Sequence, residues 1–226
     1  MTDHTPAVRR PHSLDRKLTA MAPPWGQKYI GRTMCGDPEA ADSLCSAMHP
    51  EDRGWLAHEL YDHRLSVPAF RSVLDSAWNH DYSNVLMSFT DRKLDNAFRY
   101  AQFSMPENTP EIVTVYRGGR APSWVNVFMG RCWTLDYSVA CWFAMRREHV
   151  GLEPFVLRVK VRRSQVIYYS NLNGENEVIF ARQPLRGGDC FPGDQQEWHE
   201  HFVEYERAKN EREKKERDEF LQQASG

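Results

Sequence analysis

The sequence has no long apolar run. Nothing in its 226 residues approaches the about 18 consecutive apolar positions of a membrane-spanning helix, so no membrane partner is expected. The start, Met1 to Arg10, has no apolar stretch of the kind that marks a secretory leader. Cysteine is sparse: the five residues Cys35, Cys45, Cys132, Cys141 and Cys190 are odd in number, scattered, and form no CxxC pair. Reduced thiols in a cytoplasmic protein follow, and a metal site is not expected. Charge of one sign is missing too. A formal net charge of −2 gives no global attraction to nucleic acid or to a membrane surface. The sequence contains no GxGxxG, Walker A, HExxH or GxSxG motif, so the common dinucleotide, P-loop, metalloprotease and serine-hydrolase sites lack support. No internal repeat is visible.

What the chain does have is a change of period. Residues 1–25 are polar and broken by proline, and read as a flexible tail ending in a Pro-Gly turn. Arg9, Arg10, Arg16 and Lys17 in it read as solvated charges. Residues 26–105 are helical in character. A short helix is expected from Asp37 to Met48, and a second carries Trp55, Leu56 and Leu60 on one face. A third starts at Ser66-Val67-Pro68 and is broken at Asn79-His80-Asp81, with a shorter segment carrying Val85 and Phe89 beyond. A last one is capped by Thr90 or Asp91 and puts Leu94, Ala97, Phe98 and Ala101 on its apolar side. His58, His63 and His80 have no metal-ligand spacing, and the three or four helices of residues 50–104 need something to pack against.

At Glu111 the period becomes strand-like. Residues 106–194 contain a short strand from Ile112 that ends in Arg117-Gly118-Gly119 and a second at Gly130 to Thr134. Asp136 then caps a helix from Tyr137 to about Arg147. The alternating strand Phe155–Val161 and the strand Val166–Tyr169 follow. Next comes Glu175-Asn176-Glu177 before the apolar run Val178-Ile179-Phe180, where strand spacing places both carboxylates on one side. Residues 182–193 read as a Gly/Pro-rich turn region with room for one more strand. Residues 195–226 read as a single helix, docked through Trp198, Phe202 and Tyr205 and charged beyond Ala208.

Three pieces carry chemistry. Arg117, leaving a strand before glycines, is a phosphate contact with backbone N–H groups beside it. Read blandly, it is a surface arginine before a turn. Thr134 offers a hydroxyl to a ribose or to a carboxylate, or merely to its local backbone. Trp142 and Phe143 offer rings for stacking, with one of the two assigned to the core. Glu175 and Glu177 are the carboxylates that a glycosidic C–N cleavage needs. One stabilises the oxocarbenium-like ribose and the other deprotonates the attacking group.

The ordered set Tyr116-Arg117-Gly118, Trp133-Thr134, Val139-Ala140-Cys141-Trp142-Phe143-Ala144 and Glu175-Asn176-Glu177 resembles the ADP-ribosyltransferase family of the arginine–serine–glutamate class. The resemblance covers residues 111–182, with threonine in place of the family's serine and Asp136 where a second Ser or Thr is usual. It implies an α+β fold: an ADP-ribosyltransferase-like split β core of two small packed sheets, with NAD in the cleft and the helical region packed outside. By the same resemblance NAD is the substrate. Arg117 with Gly118 holds its pyrophosphate or the nicotinamide-side ribose. Thr134 and Asp136 contact that ribose, Phe143 stacks, Glu177 stabilises the oxocarbenium, and Glu175 orients or deprotonates the acceptor. The implied activity is mono-ADP-ribosylation of a cytosolic macromolecule, protein before nucleic acid, with arginine as the side chain such a Glu often accompanies, as in a bacterial or phage effector or toxin. An NAD glycohydrolase and a non-catalytic binding module that keeps the fold are the alternatives.

Overall fold

The computed structural model describes residues 12–147, 151–172, 174–181, 189–191 and 194–224. Contacts divide the chain between Phe103 and Ser104 into two compact units.

The first unit is helical. Helix α1 (His12–Met21) is followed by a 3-10 turn at Gln27–Tyr29 and by α2 (Ile30–Met34), α3 (Pro38–Ala47), α4 (Pro50–Asp62), α5 (Val67–Ser88) and α6 (Asp91–Ala101). Residues 12–21 correct the expectation of an irregular tail. Leu14 and Leu18, one turn apart, are both fully buried and give this short polar segment an apolar stripe. Residues 1–11 lie outside the described part, and so do Arg9 and Arg10.

Local chemistry sets the helix starts. The Asp37 carboxylate accepts from the backbone N–H of Glu39 at 3.0 Å and of Ala40 at 3.1 Å, with Pro38 in the first turn of α3. Thr90 caps α6 by accepting from the Lys93 N–H at 3.4 Å. The expected break at Asn79-His80-Asp81 is a kink inside one helix. Asp81 leaves helical geometry at φ −146°, ψ 46°, and its carboxylate takes the Arg53 guanidinium at 2.6 Å. Arg53 also donates to the Cys45 carbonyl at 3.1 Å, tying the end of α3 to the kink of α5.

The helices bury one another's apolar faces. Leu44, Leu56, Leu60, Phe70, Leu74, Trp78, Leu94 and Phe98 are all essentially inaccessible. Each such side chain contributes about 1.5–3 kcal/mol of burial. The partner that residues 50–104 require is thus supplied inside their own unit.

The second unit is a sheet with helices. Its elements are β1 (Ile112–Ala121), α7 (Trp124–Phe128), β2 (Trp133–Thr134), α8 (Tyr137–Met145), β3 (Glu153–Arg162), β4 (Val166–Ser170), β5 (Glu177–Phe180), β6 (Asp189–Phe191) and α9 (Gln195–Ala224). The fold class is α+β, with all strand pairs antiparallel in one sheet of order β4-β5-β2-β1-β3-β6. In place of the two small packed sheets that the resemblance implies, the described strands form one sheet. Its halves are nearly independent, because β1 and β2 meet through the single pair Tyr116–Thr134. The expected turn region 182–193 contributes β6, and its residues 182–188 and 192–193 fall outside the described part.

Register assigns the faces, since residues paired across a ladder share a side. Tyr116, Thr134, Glu177 and Ser170 form one row. On that side α8 lies close to β1, where a β-carbon on Gly118 would run into the Ala140 carbonyl. The opposite face carries Val113, Val115, Leu157, Val159, Trp133 and Val178, a continuous apolar cluster that also takes Val127 of α7.

Candidate functional site

The Glu175 and Glu177 region is built from the β2–β5 ladder outward. Thr134 stands opposite Glu177 in the register. Its hydroxyl donates to the Glu175 carbonyl at 2.5 Å and accepts from the Asp136 N–H at 2.9 Å. This buried threonine therefore fixes the segment that carries both glutamates. Its hydroxyl proton goes to backbone, one of the two uses the sequence left open, and its second lone pair is left for another donor. Asp136 is a helix cap, as the sequence indicates, accepting from the Ser138 N–H at 2.8 Å.

The two glutamates do not follow strand alternation. β5 begins only at Glu177, and Asn176 sits in the left-handed region at φ 46°. The loop before it is held by its own side chains. Asn171 accepts from the Asn176 N–H at 3.2 Å, and the Tyr169 hydroxyl donates to the Asn176 side-chain oxygen at 3.0 Å. Gly174 takes φ 69°, and a β-carbon there would collide with the Arg212 guanidinium of α9. Glu175 and Glu177 consequently have different neighbours. Burial raises the Glu175 carboxyl above its ordinary range, opposed by the cations Lys209, Arg146 and Arg212. Glu177 lies instead beside the thiol of half-buried Cys132. That thiol is pushed well up by burial and by the Glu177 charge, with Arg117 acting against both.

Arg117 corrects the reading of a strand-end arginine. β1 runs through Gly118-Gly119 to Ala121, so Arg117 is mid-strand. It pairs with Leu157, which places it by register on the face opposite Thr134 and Glu177. Its guanidinium donates to the carbonyls of Val127, at 2.7 Å, and of Cys132. It closes the end of α7 onto β2, in a space that Gly130 leaves by having no side chain. Cys132 is therefore the point where Arg117 and Glu177 approach each other from different sides. Gly118 serves the close packing of α8 on β1.

The aromatic pair is resolved as expected in part. Trp142 is the buried ring and Phe143 the half-buried one, their centroids 5.0 Å apart. Arg146 lies over both, at 4.6 Å from Trp142 and 4.3 Å from Phe143, and Lys209 lies 4.3 Å from the Trp142 centroid. The Trp142 N–H donates to the Glu206 carboxylate, and Tyr205 packs 5.9 Å away. Nearer the start of α9, the Tyr137 hydroxyl donates to Glu197 at 3.2 Å and Ser138 bonds His201 at 3.0 Å.

The residues that sequence reasoning missed are thus Arg146, Lys209, Arg212 and Cys132. A heptad-free charged helix gives no sign of which lysine or arginine turns inward. Among the described residues no cluster of metal-ligating side chains is present, and no helix is long and apolar enough to cross a membrane. No family model, curated protein or solved structure matches the chain.

Proposed function

We propose that the unit from Ser104 to Gly226 is an NAD-dependent mono-ADP-ribosyltransferase of the arginine–serine–glutamate class, acting in the cytoplasm on a macromolecular acceptor, protein before nucleic acid. The observation that carries the reading is the Thr134–Glu177 pair on neighbouring strands, with the Thr134 hydroxyl fastening Glu175 beside it. Cys35, Cys45, Cys132 and Cys141 are free thiols, which agrees with a reducing compartment.

In this reading the bond between nicotinamide and ribose C1′ breaks, and its electron pair leaves with nicotinamide. Glu177 bonds the ribose 2′-hydroxyl and stabilises the positive charge that develops on the sugar. The acceptor attacks C1′ and loses its proton to Glu175, whose half-buried carboxylate is a better base than an exposed one. An arginine side chain is the candidate acceptor. Thr134 and Asp136 hold the geometry, and Phe143 offers a half-buried ring that Arg146 overlies.

Incubation of the full chain with labelled NAD and cell lysate tests this. Label transfer that disappears in Glu177→Ala supports it. Release of nicotinamide with no labelled macromolecule assigns water as the acceptor, and no consumption of NAD at all contradicts both enzymatic readings.

A further inference from the structure

Phe220 is 70% exposed near the end of α9, on a stretch that otherwise carries charge. Val203, in the first half of the same helix, is 51% exposed, although Trp198 just before it is buried. A shallow groove of about 470 Å³ runs along α9 from Phe202 and Val203 past Glu206 and Asn210 to Lys214. Steps of three and four residues join Val203, Glu206, Asn210, Glu213, Arg217 and Phe220 into one stripe of the helix. Asn210, Glu213 and Arg217 are exposed, and the Trp142 N–H takes only one oxygen of Glu206. The stripe is apolar at both ends, acidic beside the first and basic beside the second.

That order is complementary to itself when reversed. With Val203 of one copy opposite Phe220 of another, Glu206 stands opposite Arg217 and Asn210 opposite Glu213. A two-fold axis repeats each pair. Phe220 then enters the groove at Phe202 and Val203 at both ends of the contact. A parallel pair would instead set Glu206 against Glu206 and Arg217 against Arg217.

We propose that α9 is a self-association surface, on which two copies of this chain pair their α9 helices antiparallel over residues 203–220, a length of about 25 Å. The inference goes beyond the transferase reading and does not depend on it. Apolar contacts at the two ends supply the attraction, and the charged pairs between them fix direction and register at a cost in affinity. A contact of this size and polarity gives a reversible dimer, with a Kd of about 10–100 µM.

Sedimentation equilibrium of the full chain from about 1 to 500 µM tests it, and should show a monomer–dimer equilibrium. Phe220→Asp and Arg217→Glu should each raise the Kd at least about tenfold, the second by setting two carboxylates against each other. Lys215→Gln, off the stripe, is the control and should dimerise as the wild type does. Direction is read by oxidising a mixture of the single variants Val203→Cys and Phe220→Cys and identifying the linked peptides by mass spectrometry. Linkage of 203 to 220 supports the antiparallel pair, and linkage of 203 to 203 or of 220 to 220 in its place overturns it. A chain that stays monomeric over the whole range overturns the proposal. An unchanged dimer in Phe220→Asp, or equal loss in Lys215→Gln, does so too. Far-UV circular dichroism on each variant separates lost association from lost helix.

Discussion

Thr134 joins the fold to the chemistry at the scale of one side chain. Thr134→Val keeps the shape but leaves the Asp136 N–H and the Glu175 carbonyl without their buried partner. Chemical denaturation should show a loss of about 1–3 kcal/mol, and Thr134→Ser should restore most of it. Gly118 is equally constrained, since Gly118→Ala drives a methyl into the Ala140 carbonyl and should cost about 1–3 kcal/mol or more. Glu175 gives a pH signature. Burial holds its carboxyl above the ordinary 4.5, so the folded chain binds its proton more tightly than the unfolded chain does. Stability from this group is present at low pH and is lost as pH rises from about the ordinary value through the raised one. Glu175→Gln should flatten that part of the stability profile, and an unchanged slope would contradict the burial. Thiols give a third test. Burial pushes Cys45 and Cys141 up to about 12, and Cys132 is raised as well, while Cys35 is exposed. Alkylation at pH 8 followed by mass spectrometry should mark Cys35 well before those three.

At the scale of elements, the parts with local signals were legible. Asp37 and Thr90 announce α3 and α6, and the buried sets of both helices follow their helical period. Alternation in Phe155–Val161 marks β3 equally well. The misreadings share one cause, which is that the deciding interaction comes from another element. Gly118-Gly119 looks like a turn after a strand. It is strand, and Gly118 is there because α8 presses on it, where a β-carbon would run into the Ala140 carbonyl. Asn176 looks like any residue between two strand positions, yet it takes a left-handed backbone just before β5 begins at Glu177. Residues 12–21 look like a tail because only Leu14 and Leu18 carry the stripe. Arg53 is the clearest tie between elements, joining α4 to the end of α3 and to the kink of α5. Arg53→Ala strands the half-buried Asp81 carboxylate, and thermal or urea unfolding should register a loss of about 2–4 kcal/mol.

At the scale of the molecule, the chain is two units, each with its own core, divided between Phe103 and Ser104. The helical unit closes on itself, so residues 12–103 expressed alone should give a helical spectrum and a cooperative melt. A chain that stays unfolded would contradict this. The second unit holds every residue that the proposed chemistry invokes, and α9 belongs to it through contacts running from Glu197 to Arg212. That helix reads in sequence as a solvated appendage, and toward its end Phe220 is exposed. Its first half instead lies along α8 and brings cations to Glu175.

The most direct measurement of the central claim is transfer of label from NAD by the full chain, wild type against Glu177→Gln, with nicotinamide release followed in the same samples. The account predicts labelled macromolecule and released nicotinamide with the wild type, both falling at least 100-fold in the variant, an order-of-magnitude figure typical of losing one transition-state contact. Equal NAD consumption by the two proteins, or none by the wild type, would contradict it.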